Sequence, residues 1–234
     1  MQRYFAKNRD LELLESDIHH IKRVMRMKKG DKIEVVFDKL VYVCEIKNLD
    51  PFSFQIVDEI EENNELDIDL VVAIGLVKEQ KMDLILQKLT ELGVKEIIPL
   101  KMERSIVKLD DVRYKKKKER WEMICKEASE QSHRNVIPKI GPMMSLKELI
   151  NIDSDIKLVA SVKESENFIN KYLQKMNKCV KMIIVIGPEG GISSSEEDFL
   201  VANGYESVSL GKLVLRVETA AIYVASVVSY SCMR

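Results

Sequence analysis

Apolar and polar positions follow two different periods along this chain. In the first part the repeat is short. Ile33, Val35 and Phe37 alternate with polar neighbours, Asp38-Lys39 turns the chain, and Leu40–Ile46 and Phe52–Val57 follow. A period of two marks half-buried strands, here read as a meander closing into a small barrel. One helical piece, Asp17–Met25, interrupts it with Ile18, Ile21 and Met25 on one face. The acidic run Asp58–Glu65 reads as a strand end passing into a linker. From Ile68 onward, apolar runs alternate with helical spacing. Strands are predicted at Leu70–Leu76, Val94–Leu100, Lys157–Ser161 and Lys181–Ile186. The first helix between them carries Met82, Ile85, Leu86, Leu89 and Leu92 and ends at Gly93, a residue suited to a C-terminal cap. Further helices are predicted over Asp110–Arg134, with Trp121, Ile124, Cys125 and Ala128 as its core stripe, and over Asn167–Met176 and Ser195–Ala202. This strand-then-helix rhythm predicts an α/β fold with a parallel sheet. The last helix, Arg216–Ser231, is apolar nearly all round. Such a helix must be covered, by its own domain or by a second copy of the chain.

Composition narrows the partners. The net charge of -1 excludes a globally basic nucleic-acid binder, so contact with a polyanion must come from local patches. Arg3–Lys29 is such a patch: eight Lys or Arg stand against four acids, a local net of +4. Within it Arg3, Arg23 and Arg26 are candidate phosphate contacts, with Tyr4 and Phe5 for stacking. The run Lys115–Lys118 is a weaker candidate, offset by Glu119 and Glu122. The cysteines Cys44, Cys125, Cys179 and Cys232 are scattered without a CxxC pair, as expected of buried free thiols in a reducing compartment. His19, His20 and His133 do not cluster with them, so no metal is expected. No apolar run approaches the roughly 20 residues of a membrane span, and the start of the chain lacks a signal-peptide core. A cytoplasmic protein without membrane contact is expected.

The candidate chemistry lies near the C-terminal end. Ile186-Gly187-Pro188-Glu189-Gly190-Gly191 follows the apolar run Met182–Val185 and precedes Ser193-Ser194-Ser195-Glu196-Glu197. That order reads as a buried strand, a glycine-rich turn and a helix start with two overlapping capping boxes. Twenty residues later, Ser209-Leu210-Gly211-Lys212-Leu213-Val214-Leu215-Arg216 makes a second turn opening the last helix. Two glycine turns at the carboxyl ends of strands point to one small-molecule crevice. Neither GxGxxG nor GxxxxGK[ST] occurs, so dinucleotide and P-loop readings lose their specific support.

Ile186–Gly191 together with Leu210–Ala220 resembles the paired signature of SPOUT-class methyltransferases, and more narrowly that of the RsmE family, which methylates N3 of a uridine in small-subunit (16S) ribosomal RNA. Further blocks are similar in order: His19–Arg26 with Gly30-Asp31, Lys81–Asp83 through Lys88–Val94, Glu103-Arg104-Ser105, and Glu127–Arg134. Met25 stands where the family usually has leucine. The resemblance spans nearly the whole chain. It implies a PUA-like RNA-binding β-barrel over residues 1–66 and a SPOUT domain with a deep trefoil knot over 67–234. It implies S-adenosyl-L-methionine as cofactor, ribosomal RNA or the assembled small subunit as partner, and a homodimer through the knot and last helix. The cofactor residues it suggests are Ala160, Ile186, Gly187, Glu189, Gly190, Ser209, Leu210, Gly211, Val214, Leu215, Arg216 and Thr219. Arg216 is expected to steady the uracil oxygens or a phosphate, the alternative being an ion pair with Glu189 or Glu218. Glu189 is a candidate base, with Glu218 and Thr219 capping the helix. Arg134, on the polar stripe with Glu127, Glu130 and Gln131, joins Arg3, Arg23 and Arg26 as a candidate RNA contact. Competing readings keep the fold but methylate a ribose 2′-hydroxyl, or bind RNA without catalysis.

Overall fold

The structure, a computed structural model, describes residues 1–174 and 181–232. Cys179 and Met176, named above, lie outside them. The chain forms two compact units: Met1–Glu65 with Lys126–Ile137, and Leu66–Cys125 with Pro138–Arg234.

In the first unit, β1 (Gln2–Phe5), β2 (Lys32–Phe37), β3 (Leu40–Leu49) and β4 (Phe52–Ile60) form one sheet in that order. The antiparallel meander β2–β3–β4 is the predicted one, while β1 adds to its edge in parallel with β2. The alternating residues point where the period requires: Ile33, Val35, Cys44 and Ile46 are buried in a common cluster with Tyr4 and Ile21. The predicted helix is α1 (Glu15–His19) continued by a π-helical turn, His20–Val24. The amide of Met25 donates to the His20 carbonyl at 2.9 Å, one residue further back than in an α-helix. The added residue rotates Met25 off the apolar face. Ile21 is fully buried, whereas Met25 is exposed.

Polar contacts explain why residues 126–137 belong to this unit. Arg3 is buried. It donates to Glu34 at 2.8 Å, to Glu62, and to the carbonyls of His133 and Arg134 at 2.7 and 3.1 Å. Arg134 is equally buried and pairs with Glu65. Tyr4 sits in the core with its hydroxyl 3.0 Å from His20 Nδ1. Arg3, Tyr4 and Arg134 therefore differ from the expectation of solvent-facing RNA contacts. A buried guanidinium must be fully paired, and these two are paired internally. Lys126 lies between Asp17, at 2.7 Å, and Glu130, at 2.5 Å.

The second unit is built on a six-stranded sheet in the order β10-β8-β9-β5-β6-β7, all parallel. Its strands are β5 (Asp69–Gly75), β6 (Glu96–Leu100), β7 (Lys139–Ile140), β8 (Ile156–Ala160), β9 (Lys181–Ile186) and β10 (Glu206–Val208). Its helices are α2 (Glu79–Glu91), α4 (Leu146–Leu149), α5 (Asn170–Leu173), α6 (Ser194–Ala202) and α7 (Val217–Cys232). The long helix α3 spans Asp111–Gln131. After their first residues, Asp69 and Lys181, the central strands β5 and β9 are apolar without interruption and buried on both faces, as parallel strands covered by helices must be. α7 is covered within its own unit, with Val217, Ala221, Val224, Ala225 and Val228 buried and contacts to α2 and β9. Tyr223 and Tyr230 remain exposed.

One predicted helix is much shorter than its pattern. Over Asn167–Met176 only Asn170–Leu173 is helical among the described residues. Glu164 accepts the amides of Glu166 and Asn167, and Asn167 Nδ2 donates to the Ser207 carbonyl at 2.8 Å. These side-chain contacts give the backbone an alternative to the helix. Among the described residues no helix is long and apolar enough to cross a membrane.

Candidate functional site

The strand order reverses at β5 and β9: the chain runs outward through β6 and β7, then returns to build the other half. Open parallel sheets bind ligands at the carboxyl ends of strands flanking such a switch. Here β8 ends at Ala160 and β9 at Ile186, and both residues line a cavity of about 430 Å³. That volume lies in the range of small-molecule sites.

The glycine turn 187–191 is shaped by its packing. A Cβ at Gly190 would lie 2.8 Å from Arg104 Cβ and 2.9 Å from the Arg104 carbonyl oxygen, and Gly191 has φ +73°. Only glycine meets both demands without strain. The turn is tied to the loop after β6: Arg104 Nη1 donates to the Gly190 carbonyl at 3.3 Å, and the Glu103 amide donates to Glu196 at 2.7 Å. Glu196 also completes the capping box with Ser193 at the start of α6. The second capping box does not form. Ser194 Oγ instead accepts from Lys163 at 2.9 Å, and Glu197 accepts from Ser207 Oγ at 2.9 Å.

The second turn, 209–216, reaches the same cavity. Gly211 has φ +132°, and Leu213 and Val214 are 80 % and 82 % exposed, so these apolar side chains stand at the surface with no cover. Ala160, Ile186, Gly187, Glu189, Gly190, Leu210, Gly211, Val214, Leu215 and Arg216 all line the cavity. Ser209 and Thr219 do not. Ser209 is buried and bonds locally with Gly211. In the first unit, Arg23 and Arg26 are exposed.

The charged groups at the cavity are arranged differently from the ion pairs considered for Arg216. Lys81, at the start of α2, lies 3.1 Å from Glu218 Oε2 and 4.0 Å from Glu189 Oε1. Glu189 Oε1 also accepts the Lys78 amide at 3.2 Å, while its Oε2 is buried and has no partner among the described residues. Burial opposes ionisation of Glu218, but its own backbone amide, Lys81 and Arg216 together hold its carboxyl below the usual carboxylate range. Lys81, Lys163 and Glu197 line the cavity, although the sequence placed Lys81 only in a family block and Glu197 only in a helix cap, and did not mark Lys163. The available signal was positional, since Lys81 and Lys163 each follow the carboxyl end of a strand by a few residues.

A parallel sheet carrying two glycine turns around one cavity at its switch point defines an α/β ligand-binding domain. A family model described as an RNA methyltransferase domain matches residues 64–229, and one described as an RNA methyltransferase PUA domain matches residues 13–59. Ribosomal RNA small subunit methyltransferase E of Bacillus subtilis is 37 % identical, over 98 % of this chain and 96 % of that protein. A methyltransferase of Legionella pneumophila, solved with bound S-adenosylmethionine, superposes with a TM-score of 0.89 at 29 % identity, over 98 % of this chain and 97 % of that one. Ribosomal RNA small subunit methyltransferase E of Neisseria gonorrhoeae, bound to S-adenosylmethionine, gives 0.87 at 26 % identity with the same coverage. The chain belongs to the RsmE family of RNA methyltransferases.

Proposed function

We propose that this protein methylates N3 of a uridine in small-subunit ribosomal RNA, with S-adenosylmethionine held between the two glycine turns. The observation that carries this reading is the convergence of both turns on one cavity at the sheet's switch point. Two similar structures were solved with S-adenosylmethionine bound. Backbone amides and carbonyls of Ile186, Gly187, Gly190, Leu210, Gly211 and Leu215 suit an adenine edge, since main chain can approach it closely there. Ala160 and Val214 complete that cofactor site, braced by Ser209 of the second turn and Thr219 in the first turn of α7.

Bound S-adenosylmethionine supplies an already activated methyl group, so the protein contributes orientation and electrostatics. The uracil nitrogen must lose its proton as it attacks. Arg216, whose guanidinium has no hydrogen-bond or ion-pair partner among the described residues, is available to stabilise charge developing on the uracil oxygens. Glu189 presents an uncommitted carboxylate oxygen that can accept the proton. RNA is engaged through exposed Arg23 and Arg26 of a PUA-like barrel (residues 1–66), and the SPOUT-type knot belongs to residues 67–234. The uncovered Leu213, Val214, Tyr223 and Tyr230 support a homodimer through the knot region and last helix. A cytoplasmic location fits a ribosomal substrate.

The test incubates the purified protein with S-adenosylmethionine and either small-subunit RNA or assembled subunits, followed by nucleoside mass spectrometry. The expected product is N3-methyluridine. A ribose-methylated nucleoside would move the activity to the 2′-hydroxyl, and cofactor binding without any methylated product would mark a non-catalytic RNA-binding factor.

A further inference from the structure

Two carboxylates, Glu189 on the cavity wall and Glu218 beside it, share a single lysine. Lys81 belongs to the first turn of α2, Glu189 to the glycine turn after β9, and Glu218 to the first turn of α7. Neighbouring acids of like charge raise each other's cost of ionisation, and a cation between them removes that cost. The Lys81 ammonium, 3.1 Å from Glu218 and 4.0 Å from Glu189, occupies that place. Its position has two consequences. The Lys78 amide and the ammonium both face Glu189 Oε1, which leaves Oε2 buried and uncommitted. The acids take Lys81 as their ion-pair partner, and neither pairs with the Arg216 guanidinium.

We propose that Lys81 is a positioning residue for methyl transfer: it fixes Glu189 with one oxygen uncommitted, and it keeps Arg216 available to the substrate. This rests on the reading that Glu189 and Arg216 meet the uracil. Lys81 from α2 faces both Glu189 and Glu218, and Arg216 at the end of the second turn acts electrostatically on Glu218. Without Lys81, Glu189 is free to draw Arg216 toward itself, which removes both groups from their working positions at once.

Three variants test it: Lys81→Arg, Lys81→Met, and Lys81→Met combined with Glu218→Gln. The double variant removes one charge of each sign, so it keeps the local balance and guards against a Lys81→Met chain that fails to fold. Methyl transfer to small-subunit RNA and calorimetric S-adenosylmethionine binding are measured on each full-length protein. A misplaced reacting group costs on the order of 100-fold, so kcat is expected to fall roughly 30- to 100-fold in the double variant. KM for RNA and the cofactor Kd should stay within about threefold, the pattern of an interaction realised only in the transition state. Lys81→Arg should recover most of the rate. If Lys81 merely staples α2 to α7, the folded double variant turns over like the parent, which overturns the proposal. Should the parent itself bind no cofactor or methylate no RNA, the functional reading fails first and this inference falls with it.

Discussion

Ser193 and Ser194 are adjacent and chemically identical, yet only the first caps a helix. Both were legible as caps from the serine-to-glutamate spacing. The choice between them was not, because it depends on Lys163 and Ser207, which hold Ser194 and Glu197 from distant parts of the chain. Ser193→Ala should therefore lower stability by about 1 kcal/mol, and Ser194→Ala by much less, as read from urea midpoints. Gly190 shows the same limit. Sequence marks it as a position needing no side chain, for close approach of a cofactor. The structure puts Arg104 backbone against it, so Gly190→Ala has to displace the loop after β6. We expect a loss of roughly 1–3 kcal/mol from such overpacking, and weaker S-adenosylmethionine binding in calorimetry. Wild-type stability together with wild-type affinity would contradict that packing. The partners of Glu189 and Glu218 could not be read at all. The sequence offered Arg216 because it is near in number, while Lys81 is near only in space.

At the scale of elements, period was a good guide where one face is buried throughout. β9 was read with its observed limits, α6 and α7 within a residue, and α2 by its apolar stripe from Met82, three residues after its observed start, because their apolar spacing is uninterrupted. It failed where local hydrogen bonds override spacing, as in the π-helical turn that exposes Met25 and the side-chain contacts that shorten α5. It also read Asp110–Arg134 as one amphipathic helix. That hides a division, since its last six residues belong to the first unit and carry Lys126 into a buried acid pair. Burial raises the Glu130 carboxyl above its usual range, partly opposed by Lys126. An acid whose folded-state value is raised favours the folded state most fully below its unfolded value, and that stability is lost as pH rises through the raised one. Glu130→Gln should accordingly be tolerated at neutral pH, with little change in the melting midpoint. Lys126→Met leaves two buried carboxylates without their cation and should cost about 3–5 kcal/mol. Equal effects of the two substitutions would refute this account of the triad.

For the whole molecule, the α/β class and its parallel sheet followed from alternating strands and helices, whereas the strand order did not. Nothing local tells β8 and β10 to lie beyond β9 rather than beside β7. The switch point that creates the cavity is thus a property of the assembled sheet. The first unit teaches a related lesson: residues 1–65 lack the Arg134, Asn135 and Lys126 side chains that satisfy Glu65, Lys39 and Asp17. A fragment ending at residue 66 should remain unfolded by circular dichroism, since buried polar groups left unpaired are costly. The central claim is that the two glycine turns hold S-adenosylmethionine. Amide hydrogen exchange of the intact protein with and without that compound tests it most directly. Slowed exchange confined to residues 186–192 and 209–217, with the first unit unchanged, is the expected result; protection centred elsewhere, or none at saturating ligand, would contradict it.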